Sequence, residues 1–154
     1  MSFSVDANIL LYASDQQSPF SERSTAFLSE RASGSELFYL TWPTILGYLR
    51  IATHSGIFAA PLSPDEAMRN IQSLLDRPHV RALGEDEGFW EVYRVVAGGL
   101  PLRGNAVPDA HVAALLRQHG VATLYTNDAD FKRFSFLRVI NPFEGAEGGE
   151  GAGR

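Results

Sequence analysis

The sequence predicts an α/β fold with a mostly parallel central sheet. Three observations carry that expectation. Short strand-like apolar runs recur along the chain at residues 2–5, 37–40, 80–83, 121–126 and 137–140. Segments with apolar residues at helical spacing lie between them. Most helical segments open on proline-marked starts and close on glycine or proline, the punctuation of alternating α/β layers.

In order, Ser2 to Val5 is a β-like run, and the apolar stretch Ile9-Leu10-Leu11-Tyr12 follows it. Ser18-Pro19 begins a helix through Leu28, with Pro19 near the first turn and Gly34 beyond its end. Leu37 to Leu40 is a compact strand. Trp42-Pro43 starts a helix with Ile45, Leu46, Leu49 and Ala52 at helical spacing, and Gly56 stops it. Ser63-Pro64-Asp65-Glu66 is a strong helix start: a serine cap, proline at the first position, and acids at the positive end of the dipole. That helix carries Met68, Ile71, Leu74 and Leu75 to Arg77-Pro78. Val80 to Leu83 is a weaker strand, and Phe89 to Ala97 is a helix ended by Gly98-Gly99. Pro101 to Asn105 is a loop, Val107 to His119 a helix closed by Gly120, and Val121 to Thr126 a strand. Leu137 to Ile140 is the last strand before Asn141-Pro142-Phe143.

The 154 residues make one domain with room for a real core. No apolar run nears the roughly 20 residues that span a bilayer. The start, Met1 to Asp6, lacks a basic region and reaches an acid too soon for a signal peptide. With no cysteine, disulfides, thiol catalysis and cysteine-held metals are excluded, and a cytoplasmic protein is expected. The net charge of −5 argues against a nucleic-acid partner, but a pocket of four acids alone accounts for four charges, and a cation bound there reverses the local sign. Twelve of the thirteen basic residues are arginine, which suits bidentate phosphate contacts.

Those four acids are the chemical signal. Asp6 follows the first strand, Asp128 and Asp130 follow the strand ending at Thr126, and Asp109 lies in the first turn of the preceding helix. In an open parallel sheet such positions share the carboxyl end, where ligands bind. Carboxylates gathered there suit Mg²⁺ or Mn²⁺, and hard cations supply what phosphodiester hydrolysis needs: an activated water and screening of growing negative charge. Asn8 and Asn127 are candidates to add neutral oxygens or orient waters, and Thr126 to hydrogen-bond a carboxylate from behind. Each acid also has a structural explanation. Asp6 fits a helix cap, Asp109 a favourable first-turn acid, and Asn127-Asp128-Ala129-Asp130 an Asx-turn.

These segments resemble PIN-domain ribonucleases, and more closely the VapC-type toxins of toxin–antitoxin pairs. The matching pieces are Val5-Asp6-Ala7-Asn8 through Ala13, Trp42-Pro43 leading to Leu49-Arg50-Ile51-Ala52-Thr53, and Gly104 to Leu115 with Val107-Pro108-Asp109-Ala110-His111 at their centre. Thr126-Asn127-Asp128-Ala129-Asp130-Phe131 and Leu137 to Pro142 complete the match, which covers roughly residues 2 to 143. The resemblance implies a Rossmann-like three-layer sandwich and an acidic pocket for Mg²⁺ or Mn²⁺. It further implies RNA endonuclease activity, homodimerisation and inhibition by a small VapB-type antitoxin. Carried over by position, Asp6, Asp109 and Asp128 match the metal-site acids, and Asp130 a frequent further acid. On this reading residues 1–143 form the nuclease domain and 144–154 a disordered glycine-rich tail.

One departure stands out. The family usually has a glutamate about three residues before an arginine resembling Arg50; here that position is Gly47, and no acid lies between Thr41 and Gly56. Mid-helix glycine costs about 1 kcal/mol of propensity, so it is expected to serve close packing or ligand space. The alternative function is a PIN-fold binding module without turnover. His54 and His111 read as structural. Lys132, Arg133 and Arg138 read either as a solvated face or as a guide for RNA, and Arg50 either as a phosphate contact or an ordinary surface arginine. Trp42, Tyr48, Phe89, Trp90 and Tyr93 lie on helices and are expected to fill a core or an interface, and the apolar helices between Trp42 and Leu75 are candidates for dimer or antitoxin contact. A phosphatase of the haloacid-dehalogenase type would need a second acid at Asn8, and a receiver domain paired acids at the first strand; both are absent.

Overall fold

The computed structural model of the chain describes residues 1–144. Its elements are β1 (Ser2–Val5), α1 (Ala7–Ser14), α2 (Ser21–Ser33), β2 (Leu37–Thr41), α3 (Trp42–Ala52) and α4 (Pro64–Leu75). These are followed by β3 (Val80–Leu83), α5 (Phe89–Ala97), α6 (Ala106–Gln118), β4 (Thr123–Tyr125), a short 3-10 turn at Ala129–Arg133, and β5 (Arg138–Ile140). Apart from Glu144, the glycine-rich segment lies outside the described residues.

All four strand pairings are parallel, in the order β3-β2-β1-β4-β5. Parallel neighbours need long crossovers, and the helices supply them. Strand alternation sorts the core to two faces. Phe3, Val5, Phe38 and Leu40 pack with Ile9, Ile45 and Tyr48 on one side. Leu83 and Leu124 pack with Ala113, Leu116, Phe131 and Phe134 on the other. Helix α6 is buried over consecutive positions, Val112 to Leu116, because the sheet and neighbouring helices cover it from several sides. No helix among the described residues is long and apolar enough to cross a membrane.

The capping signals behave as physics requires. Ser63 Oγ accepts from Glu66 N at 3.1 Å while Glu66 Oε1 accepts from Ser63 N at 3.4 Å, a reciprocal capping box. Gly120 takes φ +72° just past α6, a left-handed turn that favours glycine.

Some boundaries and faces differ from expectation. Helix α2 starts at Ser21 rather than Ser18, because the Ser18 hydroxyl accepts from Phe20 N at 3.1 Å and holds a turn first. In α3 the inward face is Thr44, Ile45, Tyr48 and Ala52, while Leu46 is 58% exposed. Tyr48 is buried because its hydroxyl is met inside, by Ser14 Oγ at 2.7 Å and Asn70 Nδ2 at 2.9 Å. In α4 it is Ala67 and Ile71 that face inward, and Met68 is exposed.

Candidate metal centre

Strand order runs outward from β1 in both directions, so the connections leaving β1 and β4 diverge and open a crevice at their carboxyl ends. Asp6 is the first residue beyond β1. It caps α1, its Oδ1 accepting from Ala7 N at 2.7 Å, so the capping role is real. Its Oδ2 accepts from Thr126 Oγ1 at 2.7 Å.

Thr126 is the hub. Fully buried just past β4, it donates to Asp6 and accepts from Asp128 N at 3.0 Å and Asn8 Nδ2 at 3.2 Å. One hydroxyl thus ties the loop after β1 to the loop after β4, and the supporting role expected of it holds. Asp128 caps the 3-10 turn, its Oδ1 accepting from Asp130 N at 2.9 Å, so the Asx-turn is present as well.

Asp109 sits in the first turn of α6, half-exposed, and its carboxylate accepts no hydrogen bond among the described residues. Burial, then the charges of Asp128 and Asp6, push its carboxyl up to about 6; Arg133 opposes the rise and Asp130 adds slightly to it. Burial also raises Asp6, against the pull of its Thr126 and Ala7 hydrogen bonds, and the Asp128 charge adds to the rise. Four aspartates from three distant segments therefore sense one another. Asp130 is exposed at the rim, paired with Arg133 at 3.6 Å.

Mutual repulsion among carboxylates is what a hard cation relieves, and every donor in reach is oxygen. Asn8 Oδ1 adds a buried oxygen with no hydrogen-bond partner. Among the described residues, however, no three such side chains stand ready-made at ligating spacing. The residues fit an ion by chemistry and placement, and the unpartnered Asp109 carboxylate is the group with freedom to close on it.

Other expected candidates lie elsewhere. Asn127 turns away from the acids: its Nδ2 donates to Tyr12 OH at 3.2 Å, and its Oδ1 accepts from Asn141 Nδ2 at 2.6 Å. His111 Nε2 meets Glu85 Oε1 at 2.5 Å and its ring packs T-shaped with Phe89, a structural role. Arg133 faces the acids, whereas Lys132, Arg138 and Arg50 are exposed. An ideal Cβ at Gly47 meets nothing within 4 Å, so close packing is not the reason for that glycine.

The PIN-domain family model matches residues 4–137. Ribonuclease VapC48 of Mycobacterium tuberculosis is 46% identical over 145 residues, spanning 94% of this chain and 100% of that protein. The VapC ribonuclease Mb2897 of Mycobacterium bovis is 30% identical, spanning 92% and 95%. In fold the chain is similar to VapC20 of Mycobacterium tuberculosis, described as a sarcin-ricin loop cleaving toxin, with a TM-score of 0.65 at 15% identity over 90% of this chain and 99% of that one. VapBC2 from Rickettsia felis, solved bound to a promoter DNA fragment, gives 0.66 at 16% identity over 92% and 98%. With its parallel five-stranded sheet and a match across nearly its whole length, the chain belongs to the PIN-domain family, among the VapC ribonucleases that are the toxins of toxin–antitoxin systems.

Proposed function

We propose that this ribonuclease is a Mg²⁺-dependent endonuclease, with Mn²⁺ as a substitute, in which Asp6, Asp109 and Asp128 hold the ion and Asp130 assists from the rim. The observation that carries this reading is Asp109, an unpartnered carboxyl raised to about 6 by burial and by the charges of Asp128 and Asp6. A structural aspartate at a helix start has no need of three acid neighbours.

The residues divide the work. Thr126 and Ala7 each use one bond on Asp6, leaving further lone pairs of its carboxylate for the cleft. Thr126 also holds the backbone of Asp128, so the two loops keep their spacing. When bound, the ion supplies an activated water and screens the charge that grows on the phosphate. Arg133, already facing these acids, is placed to contact a phosphate oxygen of the RNA. A small VapB-type antitoxin is the expected inhibitor, and a homodimer the expected assembly. The exposed Leu46, Ile57 and Met68 are apolar candidates for those protein contacts.

The test is cleavage of structured RNAs by chain purified free of antitoxin, with Mg²⁺ or Mn²⁺, against Asp6→Asn. Cleavage by wild type alone supports the proposal. Cleavage by neither protein under any metal supports the rival reading, a PIN fold that binds without turnover, for which the acid-free helix α3 is the specific observation.

A further inference from the structure

The carboxyl edge of the sheet carries a large exposed side chain that the acid cluster does not use. Trp42 directly follows Thr41, the last residue of β2, and is 44% exposed. β2 lies beside β1 with Ser4 opposite Tyr39, and two residues further on the same register sets Asp6 beside Thr41. Neighbouring strands are about 4.8 Å apart, so the Trp42 backbone stands one strand and one residue from Asp6.

On its far side the indole rests on the end of β3. Thr41 pairs with Leu83, and the next residue, Gly84, brings its backbone against the ring. A Cβ there would stand 3.2 Å from Trp42 Cδ1 and 3.7 Å from Nε1, so a larger residue would push the ring by a few tenths of an ångström. Gly84 is itself tethered, its carbonyl 2.8 Å from His119 Nε2. The indole is therefore backed by fixed backbone, and its N–H donates to no protein group among the described residues. Beyond it lie Glu85, Asp86 and Glu87, all exposed, which disfavour a phosphate on that side but not a neutral base.

We propose that Trp42 is a base-stacking platform that positions an unpaired nucleotide of the RNA beside the phosphodiester held at Asp6. The inference rests on the ribonuclease reading above and names the kind of substrate group that reading leaves open. Stacking on an indole is worth about 1–3 kcal/mol per base and tolerates any base, because each has a π face. It suits an acidic protein, since it adds affinity without positive charge. Trp42 acts here as a positioning residue, so its loss weakens binding while leaving the chemistry intact.

The test has two arms. In the first, KM and kcat are measured on a single-stranded oligoribonucleotide for Trp42→Leu and Trp42→Phe. Trp42→Leu is expected to raise KM roughly 10- to 100-fold with kcat little changed, and Trp42→Phe to recover most of the loss. In the second, Trp90→Phe leaves Trp42 as the sole tryptophan in an Asp6→Asn background. Its fluorescence is expected to be quenched by the oligonucleotide, and not by one made abasic at the nucleotide beside the cleavage site. An unchanged KM for Trp42→Leu alongside active wild type overturns the inference alone. So does fluorescence that follows protein concentration, with sedimentation showing self-association, and ignores RNA; that result makes this face a contact between copies. Absence of cleavage by wild type of both this oligonucleotide and the structured RNAs overturns the endonuclease reading instead, and the quenching arm still decides whether Trp42 meets a base.

Discussion

Asp109→Asn is expected to stabilise the metal-free protein at pH 7–8 while abolishing cleavage. The carboxyl rises from 3.8 to about 6 on folding, so the folded state holds the proton more tightly than the unfolded chain. Below about pH 4 both states are protonated and the site costs nothing. Between the two values the unfolded chain ionises first, and the penalty grows; above about pH 6 it is complete. At 1.36 kcal/mol per pKa unit the full shift corresponds to roughly 3 kcal/mol. The carboxyl is half-exposed, and solvent screening cuts that to about 1.5 kcal/mol. The positive end of α6 favours the ionised acid by a few tenths to 1 kcal/mol, so the net gain for asparagine is about 1 kcal/mol. For a chain of this length that raises Tm by about 2–4 °C. Thermal unfolding in chelator from pH 4.5 to 8 measures it: the gap between variant and wild type opens as pH rises. Added Mg²⁺ closes the gap by stabilising wild type more than the variant, as expected when a ligand binds only the folded state. A gap that is flat with pH, or an asparagine variant less stable at pH 8 than at pH 5 relative to wild type, refutes the claim that burial and the neighbouring aspartates together disfavour the charged carboxylate in this cleft.

Thr126→Val removes the hub hydroxyl, leaves the part-buried Asp128 N–H and Asn8 Nδ2 without this acceptor, and takes one partner from Asp6. About 2–3 kcal/mol of stability should be lost by denaturant titration, and cleavage should fall even where the fold survives. Gly47→Glu enters open space, gains roughly 1 kcal/mol of helix propensity, and supplies the acid the family usually has; tighter Mg²⁺ binding by calorimetry is expected, and a loss of stability would contradict the open space. Asp130→Ala, at the exposed rim, should lower cleavage far less than Asp6→Asn in parallel assays, because Asp130 adds least to the charge on Asp109. Ser63→Ala breaks the capping box of α4 and should cost about 1 kcal/mol in unfolding experiments without touching activity.

What the sequence made legible was whatever the parallel sheet fixes by itself. A residue just past a strand end must lie at the carboxyl edge, so the meeting of Asp6 with Asp128 follows from strand order, and Asp109 joins them because α6, which leads back to the start of β4, begins at that same edge. Orientation around a helix or within a loop is a finer matter. Leu46 and Met68 share the apolar character of their neighbours, yet Tyr48 and Ala67 take the inward positions, Tyr48 because Ser14 and Asn70 satisfy its hydroxyl inside. Asn127 is equally suited to either side of its turn, and Tyr12 and Asn141, both distant in the chain, draw it away from the acids. Nothing in the spacing announces that Arg31 lies over the rings of Phe3, Phe27 and Tyr125, at 5.4, 4.9 and 5.0 Å. Trp42 was legible as an aromatic at a helix start, but its neighbour Gly84, more than forty residues on in the chain, was not.

The structural roles seen for the aspartates are compatible with the metal-binding roles proposed for them. Asp6 caps α1 and Asp128 caps the turn after β4, and those local bonds fix both carboxylates at the carboxyl end of the sheet. Capping consumes one oxygen of each, which fixes the group without saturating it. Asp109 is the exception, bound to nothing and charged against its neighbours, so it is the member whose energy changes most when a cation arrives. Ordering by local bonds therefore also orders consequence. Asparagine at position 6 keeps a capping oxygen and relieves a buried charge, but it sets an amide opposite the donating Thr126 hydroxyl. It should therefore gain less stability than asparagine at 109, which relieves burial and repulsion of an unpartnered carboxylate. The two variants are expected to be alike in lost cleavage and unlike in Tm at pH 8, and that contrast separates a metal-binding cluster from three unrelated helix caps.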